Sequence, residues 1–572
     1  MIIVTICKHC GQRYLLPIEA AGSSKNCKIC GATIKVAPKS WRRHLREFFG
    51  QKRNRNITAL ITGMVLVCLL LPLAFKLYSE PSPAEIRTNV RTKLFGNDFA
   101  PNRGLILHCK SEYDGRTYEI ESSLDEQGRF LDLVTHPEDQ AVTSSGFDGS
   151  HAWKKTRSGV SVQLEHGERA RRLFFEWIRN GYWTRPDAPF SLRLNSEVST
   201  DSLIAVDIDM NGMPVFGTMT LDRETWLPHS FTTKIDGEKI EIIFKEFEKF
   251  GQFTLATSTE SKTDGAFSSR FEVEEVIPVE SFTADHFSQP PDTSIVKFDE
   301  RSYFNVDVKR GHSKKLYVQP RIDGRYVGWF LFDSGAFMTI IYQQHATDLN
   351  LPRIGEINGK GVGGETKGTL HQTKTIELGA IRLESFPIQI LDPILKSRGE
   401  LAEGVAGVVG CDLIGQCVIE YEVAAKRISL HNPKNYRLPR GSWQKAIIDG
   451  NSPKIRVSCK GNLERRSTFL VDTGASGVIF APHIGGDLFW DERGTLRPIG
   501  GFGGTTGVLS GRLDWIELGG RRIPNVPVDF GIDPRSGLAD SFCDGILGIE
   551  VFSPFMIVFD IPNRRIAFLE SL

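Results

Sequence analysis

The chain has 572 residues, enough for several domains that each bury a core of their own. A formal net charge of +1 gives no case for a general binder of nucleic acid or of membrane surfaces. With 55 Gly, 36 Phe and many short alternating apolar and polar stretches, the bulk is predicted to be β-rich.

Residues 1–37 carry Cys7-Lys8-His9-Cys10 and Cys27-Lys28-Ile29-Cys30, with 16 residues between the pairs. That is the spacing of a four-thiolate zinc site, in which each C-x-x-C turn offers two sulfurs to one tetrahedral ion. The segment resembles a small zinc ribbon, with Cys7, Cys10, Cys27 and Cys30 as ligands of a structural zinc ion and His9 a solvated turn residue. Disulfides are the alternative, disfavoured if the segment is cytoplasmic, where thiols stay reduced. No interleaved aromatic and basic strand pattern marks it for nucleic acid.

Residues 38–56 form a basic linker, with Lys39, Arg42, Arg43, Arg46, Lys52, Arg53 and Arg55 against Glu47 alone. Ile57 to Phe75 then runs 19 residues without a charge, long enough to cross the hydrocarbon layer. A transmembrane helix is expected over 57–77. The positive flank keeps the N-terminus cytoplasmic and exports the rest, to the periplasm or the cell exterior. A cleaved signal peptide fits less well, because no small-x-small cleavage site follows.

Residues 79–86 read as a short linker. From 87 to 290, strand-like stretches such as Thr117 to Leu124, Leu203 to Met210, Val215 to Leu221 and Ile240 to Phe244 alternate with turn signals, and a helix is expected at Glu168 to Arg179. The run Gly146-Phe147-Asp148-Gly149…Trp153, followed by Leu221-Asp222-Arg223-Glu224…Leu227-Pro228, is similar to the half-barrel domains of the lipoprotein-carrier type that precede bacterial exported proteins. The resemblance implies a concave antiparallel sheet that holds an apolar ligand or substrate segment. A β-sheet spacer or docking domain is the other reading, since no polar site converges here. The expected exported part has five cysteines, Cys109, Cys411, Cys417, Cys459 and Cys543, an odd count that leaves at least one free.

The remainder is a duplication, in units at 300–436 and 440–572. Leu331-Phe332-Asp333-Ser334-Gly335-Ala336 is echoed by Leu470-Val471-Asp472-Thr473-Gly474-Ala475, 139 positions on. Each acid follows an apolar run that reads as a buried strand, where an unpaired carboxylate is costly. Gly361-Val362-Gly363-Gly364 and Gly501-Phe502-Gly503-Gly504 follow at offsets of 28 and 29. Ile376-Glu377-Leu378-Gly379 and Ile516-Glu517-Leu518-Gly519 come next, with Leu378 and Leu518 at 45 and 46. Val408-Val409-Gly410 and Ile546-Leu547-Gly548 place their glycines at 77 and 76, and Lys426-Arg427-Ile428 answers Arg564-Arg565-Ile566. Landmarks in one order with so little drift mean two copies of one unit.

The ordered set resembles the retropepsin-type aspartic peptidase unit, and two units in one chain are similar to the two-lobed, pepsin-like arrangement. The resemblance covers residues 300–572. It implies duplicated β-barrel lobes with Asp333 and Asp472 as a catalytic pair that shares one proton and activates a water for attack on a peptide bond. It further implies that Ser334 and Thr473 brace the strand ends. Gly335 and Gly474 admit close backbone approach, and the loops at Gly361, Gly363, Gly364 and at Gly501, Gly503, Gly504 are flaps. No cofactor is expected for catalysis. The chain departs from the family in having Ser334 where threonine is usual, Cys411 after Gly410, and no flap tyrosine.

The expectation is therefore a mainly β, membrane-anchored aspartic endopeptidase acting on peptides or proteins, monomeric with its lobes paired in cis. The rival readings are lobes that pair with their twins on another chain, a silent peptide- or lipoprotein-binding protein of the same fold, and a cytoplasmic ribbon as the functional end. No Ser-His-Asp set, phosphate-binding loop or dinucleotide fingerprint offers another chemistry.

Overall fold

The structure is a computed structural model. It describes residues 2–6, 13–17, 23–26, 32–35, 80–96 and 104–571, apart from 114, 139, 158, 214, 294, 300, 302–305, 312–313, 393–403, 485–494, 535 and 541. The four ribbon cysteines, the basic linker and the expected membrane helix over 57–77 lie outside the described residues. Among the described residues no helix is long and apolar enough to cross a membrane.

The chain divides into two units, Met1–Pro81 and Ser82–Leu572. In the first, Ile2–Ile6 pairs antiparallel with Arg13–Pro17, and Ser24–Asn26 with Thr33–Lys35. Each C-x-x-C therefore falls between two paired strands.

The second unit opens on helix α1, Pro83–Phe95. This corrects the expected linker at 79–86. Ser82 accepts from the Glu85 amide while Glu85 reaches back to the Ser82 amide, and Pro83 occupies the first turn. The same Ser-Pro-Ala-Glu that reads as a linker is a helix start, because proline at the first helical position gives up only an amide without a partner.

Residues 104–279 form one 13-stranded antiparallel sheet. The first strand, Gly104–Tyr113, pairs with the last, Ala266–Val279, near its centre. Helix α1 and helix α2, His166–Arg179, pack on this sheet. Ile86, Val90, Leu173, Phe174 and Trp177 share one apolar cluster with Leu105, Phe130, Val206, Met219 and Phe231. The apolar face expected to receive a ligand is thus packed with the domain's own helices.

The two repeats build matching eight-stranded sheets. Across the first, the order is Val308–Arg310, Leu316–Val318, Trp329–Phe332, Val405–Val409, Ile340–Tyr342, Pro387–Leu391, Gly364–Gln372, Arg353–Gly361. Across the second it is Ile447–Asp449, Ser452–Lys460, Glu464–Val471, Gly545–Leu547, Val478–Phe480, Arg521–Gly531, Gly504–Leu518, Thr495–Gly501. Parallel pairings occur at the same two places in both, which explains the uninterrupted apolar runs at Trp329–Phe332 and Val405–Val409: those strands are buried on both faces. The first repeat begins earlier than residue 300, since Val296–Phe298 pairs with Ile381–Glu384.

A third sheet joins the halves. Val418–Glu422 of the first repeat pairs antiparallel with Phe555–Asp560 of the second. The register runs Val418↔Asp560, Glu420↔Val558, Glu422↔Met556, so it is symmetric about the Glu420/Val558 pair. This is the self-complementary pairing that a twofold relation between equivalent surfaces demands. Ile419, Tyr421, Ile557 and Phe559 at this junction are all fully buried.

Candidate active site

Asp333 and Asp472 stand at the ends of equivalent strands. The amide of Asp333 donates to Val409 O at 3.0 Å, and that of Asp472 to Leu547 O at 2.9 Å. The apolar-apolar-Gly segments of the sequence are thus the strands alongside each acid. One carboxylate oxygen of Asp333 accepts from the amides of Gly335 (2.8 Å) and Ala336 (3.1 Å), and Asp472 accepts from Gly474 (2.7 Å) and Ala475 (2.9 Å).

Between the repeats, Ser334 and Thr473 take part in four hydrogen bonds, two of them with each other. The amide of Ser334 donates to Thr473 Oγ1 (3.0 Å), and the amide of Thr473 donates to Ser334 Oγ (3.1 Å). Each hydroxyl then donates to the strand of the other repeat, Ser334 Oγ to Val471 O (2.7 Å) and Thr473 Oγ1 to Phe332 O (2.8 Å). Both residues are fully buried. The bracing therefore joins the two halves, and does not merely cap a strand end within one of them.

This pins the acids together. A Cβ on Gly335 would lie 2.4 Å from Asp472 Cγ, and one on Gly474 would lie 2.4 Å from Asp333 Cγ. Each glycine leaves the room that the opposite carboxyl fills. The carboxyls are hydrogen-bonded to each other. Burial, and then the charge of Asp472, push Asp333 well above the ordinary carboxylate range. Burial raises Asp472 as well, against hydrogen bonds that favour its charged form. The pair titrates as a unit and retains a proton that exposed aspartates would have lost.

The two glycine-rich segments are turns of paired hairpins, Arg353–Gly361 with Gly364–Gln372 and Thr495–Gly501 with Gly504–Leu518. Their tips meet: the amide of Gly363 donates to Phe502 O at 2.9 Å. A Cβ on Gly363 would sit 2.1 Å from the carbonyl carbon of Gly504, so a side chain there would force the tips apart. Phe502 packs on the first repeat's apolar cluster of Tyr317, Leu331 and Val408, with Ala336 beside it. Val362 packs on the second repeat's Val508, Leu538 and Ile546, with Leu470 and Ala475 beside it. Each tip thus crosses to the side of the other repeat's aspartate. A cavity of about 1460 Å³ is lined by the 104–279 domain and by both repeats, but neither aspartate lines it.

Sequence reading assigned no role to three contributors. Asp412 accepts from the Thr339 amide (2.9 Å) and hydroxyl (2.7 Å), tying the segment after Asp333 to the helix after Gly410. Burial pushes Asp412 up to about 6. Its place two residues past the apolar-apolar-Gly landmark was the available signal. The matching residue, Glu550, is exposed. Cys411 donates from Sγ to Ser334 O at 3.1 Å. Lys315 is a cation whose charge favours ionisation of both aspartates. All five cysteines of the second unit are free and buried.

The aspartyl protease family model matches this chain twice, over residues 318–413 and 455–551. The first stretch holds Asp333, the second Asp472, and each a glycine-rich hairpin turn, so both repeats are similar to aspartyl proteases. Among solved structures, the chain is similar to a LolA superfamily protein from Nitrosomonas europaea at 10% identity and a TM-score of 0.29, covering 37% of this chain and 99% of that one. It is also similar to a DUF1329 family protein from Desulfovibrio piger at 9% identity and a TM-score of 0.27, covering 36% and 95%. No curated protein matches the chain.

The raised values fix a stability prediction. A folded-state pKa above the unfolded one means that the native state binds the proton more tightly. The protonated dyad is therefore favourable in acid, and stability is lost as pH rises through the elevated value of Asp333. Asp333→Asn, which mimics the protonated acid, is expected to raise Tm at neutral pH and to leave it nearly unchanged in acid; calorimetry across that range checks both.

Proposed function

We propose that the chain is an aspartic endopeptidase, with Asp333 and Asp472 as its catalytic residues. The observation that carries this reading is the reciprocal placement of the two carboxyls, each in the space left by the other repeat's glycine. Two acids forced together out of water hold one proton between them, as aspartic protease dyads do. The ionised member takes a proton from water, and the resulting hydroxide adds to the peptide carbonyl carbon. The protonated member donates to the carbonyl oxygen. Collapse of the tetrahedral adduct breaks the C–N bond as the dyad returns a proton to the leaving amine. Ser334 and Thr473 hold the geometry without touching substrate, and the hairpins at 353–372 and 495–509 act as flaps that exclude water. Both repeats lie in one chain, which supports a monomer as the active species.

Turnover of a peptide library by the full-length protein tests the chemistry. Asp333→Asn and Asp472→Asn should each lower kcat by at least about a thousandfold, because a dyad acts as a unit. Activity should also fall as pH rises through the elevated pKa of the dyad. Cleavage that survives either substitution rejects the mechanism. Peptide binding without product would instead favour a silent binding protein.

The N-terminal unit is proposed to be a zinc ribbon held by Cys7, Cys10, Cys27 and Cys30. The strand pairings that flank each C-x-x-C support it, since two C-x-x-C pairs supply the four thiolates that one tetrahedral ion takes. One zinc per chain, released by a thiol-modifying reagent and absent from Cys7→Ser with Cys27→Ser, is the expected metal analysis.

The charge-free run Ile57 to Phe75 behind its basic flank supports a single membrane span with the C-terminal unit exported. Alkaline extraction should leave the full-length protein in the membrane fraction. Protease added to intact cells stripped of any outer layer should reach residues beyond 80 but not the ribbon.

A further inference from the structure

We infer that the 104–279 sheet domain belongs to the catalytic apparatus: Arg157 and Arg116 are positioning residues that hold the first flap in place, and the second flap is the one that opens to substrate. The inference rests on the reading of the two hairpins as flaps. It starts from an asymmetry that the duplicated sequence does not contain.

The first flap strand, Arg353–Gly361, is the edge of its sheet, with unpaired backbone groups on its outer side. The sheet domain occupies that side. Arg157 Nη1 donates to Ile354 O at 2.7 Å, and the Arg157 side chain is only 9% exposed. Next to it, Arg116 reaches Glu356 at 3.3 Å, and both arginines are tied to Glu138, at 3.0 Å from Arg116 and 3.3 Å from Arg157. A largely buried guanidinium on a carbonyl makes a charge-assisted bond that is screened less than an exposed ion pair. Nearer the tip, Lys360 pairs with Glu238 at 2.7 Å and donates to Asp236 O at 3.3 Å.

A second tie arrives through the other repeat. The amide of Gly537 donates to Gly361 O at 3.1 Å, at the flap tip. The segment that follows is locked to helix α2. Asp540 pairs with Arg171 at 3.0 Å and with the buried Lys454 at 2.8 Å. Phe542 sits in the apolar core of the sheet domain, under the Arg171 guanidinium. A Cβ on Gly167 would lie 2.6 Å from the Phe542 ring, so helix and loop are in contact. The first flap is therefore held along its edge and at its tip.

The second flap has no such ties among the described residues. Arg497 pairs with Asp529 of its own repeat, Leu496 is 65% exposed, and a Cβ on Gly500 would meet open space. Its polar contact outside its own repeat is Phe502 O with Gly363 at the tip. Opening by the second flap breaks that contact and the Phe502 packing, whereas opening by the first also breaks every bond to Arg157, Arg116, Lys360 and Gly537.

Hydrogen exchange of the full-length protein tests this without a substrate, and so independently of whether the dyad cleaves peptides. Amides of 495–509 should exchange faster than those of 353–372. Arg157→Met should accelerate exchange across 353–361 alone, with the main Tm unchanged and Arg157→Lys restoring part of the protection. Arg116→Met is the second variant should the first fail to fold. In turnover, Arg157→Met should lower kcat/KM by about tenfold or more, the loss expected of one charged hydrogen bond, without moving the pH profile set by the dyad. Equal protection of the two hairpins, or no response of 353–361 to either arginine variant, overturns the inference.

Discussion

Two carboxyl groups are held against each other, Asp333 buried and Asp472 partly buried, and the bonds that hold them there run between the repeats. The two hydrogen bonds that Ser334 and Thr473 exchange, and the two their hydroxyls donate to Val471 O and Phe332 O, are buried and reciprocal. Breaking one half leaves a buried donor or acceptor in the other half without a partner, the expensive way to lose a hydrogen bond. The symmetric register of the joining sheet repeats that constraint with backbone bonds. Electrostatics oppose it, because burial raises both acids and the charge of Asp472 raises Asp333 further. The fold thus keeps two acids in an unfavourable setting by means of favourable bonds next to them, which is the arrangement acid–base chemistry on a peptide needs.

The duplication is close in backbone and loose in detail. Strand order, parallel pairings and hairpin turns repeat, but Asp412 buttresses the first aspartate's loop while Glu550 faces solvent. Phe502 and Val362 cross to opposite repeats and meet walls of different character, aromatic Tyr317 among the first and aliphatic Leu538 and Ile546 among the second. Among the described residues, the sheet domain adds to this imbalance by touching the outer edge of one flap strand and not the other. A chain that began as two equal halves has become a left and a right, with a third domain on one side.

The expected ligand-holding face of the sheet domain illustrates how a pattern can be right about an element and silent about its use. Alternation in Leu203–Met210 marks a strand with one apolar face. It does not say whether that face meets a ligand or a helix. Here α1 and α2 cover it, and α1 itself was hidden because Ser82-Pro83-Ala84-Glu85 serves equally well in a linker and in a helix cap. The charged residues that matter at the domain boundary, Arg157 and Arg116, belong to no motif at all, since their partners lie up to 240 residues away (Arg116 to Glu356).

The amino-acid order by itself determined that two like units exist, which residues end their buried strands, and where the glycine-rich hairpins fall. Those properties are local: an acid after an apolar run, a glycine at a turn, the same spacing twice. The meeting of the two acids, the crossing of each hairpin tip to the opposite repeat, and the hold of the sheet domain on one flap were decided only by tertiary structure. They depend on contacts between residues more than a hundred positions apart, and no local spacing encodes which distant surface a side chain will meet.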